Sequence, residues 1–207
     1  KESVIKECED CLRRLDTDFI DLFQQHWPDN STPVEETMEA LEILKKQGKI
    51  RAGGVSNYSA SQMAEAEKYF RLISNQVPYS MVSRNIEEEL VPYCIENKKA
   101  IICYSPMQRG LLTGKITPGY KFGEGEHRPT TPFYKEPYLS KINHFLKEIE
   151  PIADSKNATL AQLVINWTIN QPGITCVLVG ARNEKQVKEN INAAELSISN
   201  DEMDFIN

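Results

Sequence analysis

Polar and aromatic side chains collect just behind the apolar part of five short runs in this sequence. His26 and Trp27 follow the first run, Ser56 and Asn57 the second, and Asn75 and Gln76 the third. Tyr104, Ser105 and Arg109 follow the fourth, and Gly180 and Arg182 the fifth. Singly, each has an ordinary explanation. A histidine at a strand end is most often a hydrogen-bonded structural residue, Ser-Asn is common turn and capping chemistry, and Arg182 alone is a surface charge. The recurrence carries the signal. In an α/β barrel, positions behind successive strands face one another across the C-terminal mouth, where ligands bind. Two other chemistries are weaker. Cys8 and Cys11 have a metal or redox spacing, but Val4, Cys8, Cys11, Leu12 and Leu15 share one helical face and no second ligand pair follows. A lyase or isomerase working through a Schiff base lacks a lysine at any strand end.

The elements that must position these residues alternate along the chain. Apolar, partly β-branched runs bounded by turn residues mark strands at 18–25, 50–57, 72–79, 100–107 and 174–181. None alternates cleanly, which predicts burial on both faces, as in a parallel sheet. Residues 31–49 form a helical pattern with Ser31 or Thr32 as N-cap, Pro33 in the first turn and Gly48 at the exit. Its inward stripe is Val34, Met38, Leu41 and Leu44. Residues 59–70 open with a Ser59–Gln62 capping box, and in 85–99 Pro92 marks a helix start or a kink. Residues 1–15, 159–173 and 183–196 are also helical in pattern. The first four strands start near residues 19, 50, 73 and 100, which are 31, 23 and 27 residues apart, the pitch of βαβ units. The Gly/Pro-rich stretch 117–137 reads as a long functional loop, because the βα alternation resumes after it. Units at this pitch build an open doubly wound sheet or a (β/α)8 barrel. No strand is followed by G-x-G-x-x-G, which weakens the dinucleotide form of the open sheet.

Composition narrows the partners. A chain of 207 residues, 40% hydrophobic, can bury a core of useful size. The net charge of −6, with no strong basic patch, argues against nucleic acid or an anionic membrane as partner. No apolar run approaches the ~20 residues of a membrane helix, and no signal-peptide pattern opens the chain. Five scattered cysteines, an odd number, point to reduced thiols and a cytoplasmic setting.

Five collinear blocks, "RLDTDFIDLFQQHWPD", "GKIRAGGVSNYS", "NQVPYS", "YSPMQRGLLTGK" and "VGARNEKQVKEN", resemble the successive signatures of the aldo-keto reductase family, bacterial NADP-dependent type. The resemblance runs from residue 1 nearly to residue 207 and implies a single α/β domain of (β/α)8 TIM-barrel type. With about five parallel strands and flanking helices, that barrel would be incomplete. It further implies an oxidoreductase that reduces aldehydes and ketones to alcohols by hydride transfer from NADP(H). His26 matches the histidine of the catalytic tetrad. Ser56, Asn57 and Gln76 match the residues that bind the nicotinamide carboxamide, for which an amide offers both donor and acceptor. Tyr104 matches the aromatic that stacks on the nicotinamide.

Ser105, Pro106, Met107, Arg109, Gly110, Leu111, Gly114 and Lys115 resemble the loop that clasps the pyrophosphate. Gly180, Ala181, Arg182, Gln186, Glu189 and Asn190 resemble the adenosine site, where Asn183 to Gln186 reads as a capping box whose helix amides would face an anion. Other members carry a Lys-Ser pair and an Arg where this chain has Gly180, Ala181 and Gln186. Trp27 and the loop 119–137 would shape the substrate pocket. The remaining tetrad residues, an Asp, a Tyr and a Lys, are expected upstream of residue 1. A sheet of five strands would expose apolar edges at 18–23 and 174–179, unprotected by lysine or proline, so self-association through those edges is expected if nothing precedes them. A non-catalytic NADP-binding regulatory module is the alternative implied by the family.

Overall fold

In the computed structural model, which describes Lys1–Asn207, apolar runs become strands and the amphipathic stretches between them become helices. The order is α1 (Glu2–Leu15), β1 (Ile20–Gln25), α2 (Val34–Lys46), β2 (Ile50–Ser56), α3 (Ala60–Ala66), β3 (Leu72–Pro78), α4 (Leu90–Glu96) and β4 (Ala100–Tyr104). After the long loop come α5 (Tyr138–Ser155), α6 (Leu160–Ile169), β5 (Ile174–Val177), α7 (Glu184–Asn192) and α8 (Asn200–Ile206). No helix is long and apolar enough to cross a membrane. The chain divides into two compact units, Lys1–Val77 with Ile86–Ile102, and Pro78–Asn85 with Cys103–Asn207.

In the first unit β1, β2, β3 and the start of β4 lie side by side in chain order. The pairs β1–β2 and β2–β3 are parallel, with Gln25 opposite Val55 and Ser56 opposite Gln76. Parallel neighbours in register finish together, so the residues behind them are bound to meet. The core between sheet and helices is the expected one. Met38, Leu41 and Leu44 of α2 are fully buried, as are Met63 and Ala66 of α3, Cys94 of α4, and Val55 and Leu72 of the sheet. Strand β2 needs its glycines for close packing. A Cβ on Gly53 would lie 2.5 Å from the Phe70 ring, and one on Gly54 would lie 2.3 Å from Ser74 Oγ.

In the second unit the end of β4 adjoins β5, where the Leu178 amide donates to the Cys103 carbonyl at 2.8 Å. Helix α5 buries Leu139, Ile142, Leu146, Ile149 and Ala153, a spacing of three and four that makes one continuous face. Helix α6 opens with a reciprocal Thr159–Gln162 capping box and buries Leu163, Val164 and Trp167.

Three local expectations change and one open choice is decided. Ser31 and Thr32 do not cap α2. Their hydroxyls donate to Asp29 at 2.6 and 2.7 Å, and Pro33 stands at the cap position, ahead of the first turn. An acidic side chain two or three residues back was the nearer acceptor. Together with the Ser31 amide, those hydroxyls hold the Asp29 carboxyl at about 2. Pro92 is the third residue of α4, a helix start rather than a kink, where a missing N–H leaves no gap in the hydrogen-bond ladder. The outer strands β1 and β5 are only partly buried, because each borders a single strand. Leu15, at the end of the buried face of α1, is 65% exposed.

Candidate functional site

The sequence-expected residues form two groups, one in each unit. In the first unit the strand ends are laced together. The Asn57 side-chain amide donates to the His26 carbonyl at 3.0 Å and to Ser56 Oγ at 3.0 Å. Ser56 Oγ and the Asn57 backbone amide both donate to the Gln76 carbonyl, at 2.8 and 2.9 Å. This lacing fixes His26, Ser56, Asn57 and Gln76 relative to one another across three strands. It depends on Asn57 adopting φ +63°, a left-handed conformation that asparagine tolerates better than most residues. Ser56 is buried, Gln76 half-buried, and His26 exposed, with its ring 5.9 Å from that of Trp27, centroid to centroid. Trp27 is 58% exposed. Asn75, which the sequence places beside Gln76, is instead structural: it is fully buried and donates to the Tyr58 carbonyl at 2.8 Å. The Tyr58 hydroxyl in turn donates to Gln25 Oε1 at 2.6 Å.

The Asn57 lacing makes a graded prediction. Asn57→Ala combines backbone strain with loss of both hydrogen bonds and should cost about 2 kcal/mol, whereas Asn57→Gly removes the strain and should cost about 1 kcal/mol. Urea unfolding of the two variants separates the contributions. If alanine and glycine were equally destabilising, φ at position 57 would play no part.

In the second unit a cavity of about 830 Å³ gathers both remaining blocks. Its wall includes Ser105, Pro106, Met107, Arg109, Gly110 and Lys115 from one, and Gly180, Ala181, Arg182, Gln186, Glu189 and Asn190 from the other. Tyr104, at the end of β4, precedes this wall, and its carbonyl accepts from the Tyr79 amide at 3.2 Å. Burial raises the Tyr104 phenol and the nearby Arg109 partly offsets it, so the ring remains neutral.

The loop after Tyr104 is shaped by its backbone. Ser105, Gln108, Arg109 and Gly110 all have positive φ, between 44° and 96°. The turn closes through Gln108 N to Ser105 O at 2.9 Å and Gly110 N to Met107 O at 3.0 Å. It is fastened by Gln108 Nε2 to Ser80 Oγ at 3.0 Å and by the Tyr134 hydroxyl to the Gln108 carbonyl. Two residues of this block lie elsewhere than the cavity wall. Leu111 is fully buried with Leu112 and anchors the loop from beneath. Gly114 is required by φ +75° and by Leu160, whose Cδ1 would lie 2.9 Å from an added Cβ. Its role is packing.

At the start of α7, Asn183 Oδ1 accepts from the Gln186 amide at 3.0 Å. The box is not reciprocal, since Gln186 Oε1 reaches past Asn183 to the Arg182 amide at 2.7 Å. Gln186 therefore shapes the segment holding Arg182. Asn190 does the same from the other side, donating to the Gly180 carbonyl at 3.3 Å.

The loop expected to shape a substrate pocket contributes to this wall too. Tyr120, Glu126 and Arg128 line it, together with Thr113 and Val179 from within the two blocks and Ile116, Ala161 and Leu178 from outside them. Arg128 Nε donates to Glu126 Oε2 at 2.6 Å, and Arg128 Nη1 reaches the Arg109 carbonyl at 3.4 Å. The guanidinium also lies 5.4 Å from the Phe122 ring centre, and Phe122 packs edge-on to Tyr120 and Tyr134. The loop also carries Lys121, Glu124, Lys135 and Glu136, so no sequence signal singles out Glu126 and Arg128. Arg109, Lys115, Arg128 and Arg182 against Glu126 and Glu189 make the wall net cationic in a protein of net charge −6. A net cationic recess of this kind attracts anions over cations.

The family model "Aldo/keto reductase family" matches residues 1–207. The chain is 38% identical over 190 residues to "Aldo-keto reductase YhdN" of Bacillus subtilis (strain 168), covering 89% of this chain and 56% of that protein. It is 34% identical over 201 residues to "NADH-specific methylglyoxal reductase" of Escherichia coli (strain K12), covering 96% of this chain and 61% of that one. The solved structure of the glycerol dehydrogenase AKR11B4 from Gluconobacter oxydans superposes with a TM-score of 0.92 at 33% identity, over 97% of this chain and 61% of that one. The chain thus spans little more than half the length of these relatives. Its five parallel strands alternating with helices are of the TIM-barrel type, unclosed here.

Proposed function

Because this chain belongs to the aldo/keto reductase family, we propose that the protein reduces aldehydes and ketones to alcohols with NADPH. One observation carries the reading: the cavity of about 830 Å³ walled by Arg109, Lys115, Arg128 and Arg182. Its volume suits an extended nucleotide. Its charge suits phosphates, and the positive-φ turn at Arg109 and Gly110 lets backbone approach a pyrophosphate without a Cβ in the way at position 110.

In this proposal Ser105, Pro106, Met107, Arg109, Gly110 and Lys115 hold the pyrophosphate, and Arg182, Glu189 and Asn190 hold the adenosine end. Asn57 and Gln76 orient the carboxamide, and Tyr104 presents a neutral ring face to the nicotinamide. Bound NADPH would supply the hydride. His26 orients the carbonyl oxygen of the substrate, its backbone fixed by Asn57. Trp27, exposed beside it, offers an aromatic surface to the substrate. The five free thiols, three of them fully buried, suit a reducing compartment such as the cytoplasm.

Titration with NADPH, followed by cofactor fluorescence, tests the reading. Saturable binding that 2′,5′-ADP competes away is expected, with turnover of a generic aldehyde by the complete protein. No saturable binding would overturn it. Binding without turnover would assign the protein to the regulatory alternative.

A further inference from the structure

We infer that Glu126 is the residue that limits how strongly the cavity prefers a 2′-phosphorylated dinucleotide over an unphosphorylated one. This rests on the nucleotide reading above and deepens it by naming a specificity determinant. Glu126 and Arg182 come from distant parts of the second unit and share one cavity wall. The Glu126 carboxylate is well anchored. Oε2 accepts from Arg128 Nε at 2.6 Å and also contacts Arg128 Nη2, while Oε1 accepts from the Gly123 amide at 3.2 Å. The hydrogen bond from Arg128 does most to hold this carboxyl below the ordinary range, and the Gly123 amide and the Arg182 guanidinium add to the effect. It is therefore an anion at neutral pH, fixed in place and close enough to Arg182 for their charges to interact.

Two consequences follow for an adenosine ribose. Glu126 already neutralises Arg128, so a phosphate entering this end of the cavity has Arg182 as its main cationic partner. Gln186 is neutral and adds no charge, and its side-chain oxygen is already committed to the Arg182 amide. A fixed carboxylate also repels a phosphate dianion, yet can accept a hydrogen bond from a 2′-hydroxyl. Arg182 favours the phosphorylated ligand and Glu126 the unphosphorylated one, and specificity is the difference between them.

Calorimetric titration of the 207-residue chain with ADP and with 2′,5′-ADP, at fixed low ionic strength, reads this difference without turnover. In Glu126→Gln the side chain keeps its size but only one oxygen, which can accept from Arg128 or from the Gly123 amide, where the carboxylate accepts from both. The preference for 2′,5′-ADP over ADP should rise about tenfold while ADP affinity stays within about threefold. Arg182→Gln should shift the preference the other way by a similar factor. Parallel losses for both ligands in Glu126→Gln would mean that Glu126 only holds Arg128, and would overturn the inference, as would an unchanged ratio in either variant. If the native chain bound neither ligand, the nucleotide reading itself would fail. That result differs from binding with an unaltered ratio.

Discussion

Trp167→Ala lowers the stability of the second unit by about 3–5 kcal/mol, the range for truncating a fully buried aromatic. Trp167 is completely inaccessible and stacks on Tyr79 with ring centres 5.7 Å apart. Its indole N–H donates to Asn207 Oδ1 at 3.1 Å, and the Arg84 guanidinium lies 5.2 Å from its ring centre. Alanine would leave a cavity, strand the buried part of Tyr79 and free the end of α8. Phenylalanine keeps the ring contact but loses the N–H donor, so Trp167→Phe should cost only about 1–2 kcal/mol. The consequence reaches the candidate site, because the Tyr79 amide donates to the Tyr104 carbonyl at 3.2 Å. Urea unfolding followed by circular dichroism checks the ordering. A loss below about 1 kcal/mol for alanine would show that the pocket collapses around the smaller residue.

The second large effect is in the first unit. Lys99→Met should cost about 3 kcal/mol, because it leaves a carboxylate without its cation in a place water barely reaches. Lys99 Nζ donates to Glu67 and to the Leu72 carbonyl at 2.9 Å, and the two charged side chains are 8% and 18% exposed. The Tyr93 hydroxyl donates to the other Glu67 oxygen at 2.8 Å. Burial, followed by the adjacent Glu67, raises the Tyr93 phenol, so it stays a donor throughout the working range. The network joins α3, α4 and the start of β3. Pairing the change with Glu67→Gln removes the stranded charge, so the double variant should be more stable than Lys99→Met alone. Thermal unfolding of both settles it. A double variant at least as unstable as the single one would mean that Lys99 acts through its contact with Leu72.

The strand ends were legible from residue type alone. His26, Ser56, Asn57 and Gln76 stand at the ends of three consecutive apolar runs, and parallel pairing, with one register shift between Gly53 and Val55 on β2, brings them together. The capping box expected at Ser59 forms, and a second one, which the sequence reading did not name, forms at Thr159, as short-range hydrogen bonds between fixed positions should. A third, Ser199 to Glu202, opens α8 and carries the same Ser-x-x-Glu signal. What escaped was decided by tertiary neighbours. Ser31 and Thr32 had Asp29 as a competing partner, and Gln186 had the Arg182 amide one residue beyond its expected target. Glu126 and Arg128 lie in a stretch without periodicity, where no pattern tells which side chains turn inward. Leu111 is the instructive case. A motif places it among ligand-binding residues, while its apolar side chain places it beneath them, and burial prevails.

The turn from Ser105 to Gly114 takes its form from below and from the side, through buried Leu111 and Leu112, Ser80 and Tyr134. Its inward-facing side chains are consequently decoupled from its scaffold. Under the proposed function, exchanges at Met107 or Arg109 would retune which anion is welcomed while the contour of the turn persists, whereas an exchange at Leu111 would deform that contour and spoil recognition of every ligand alike. Selectivity and foldability can thus drift independently in a segment only ten residues long.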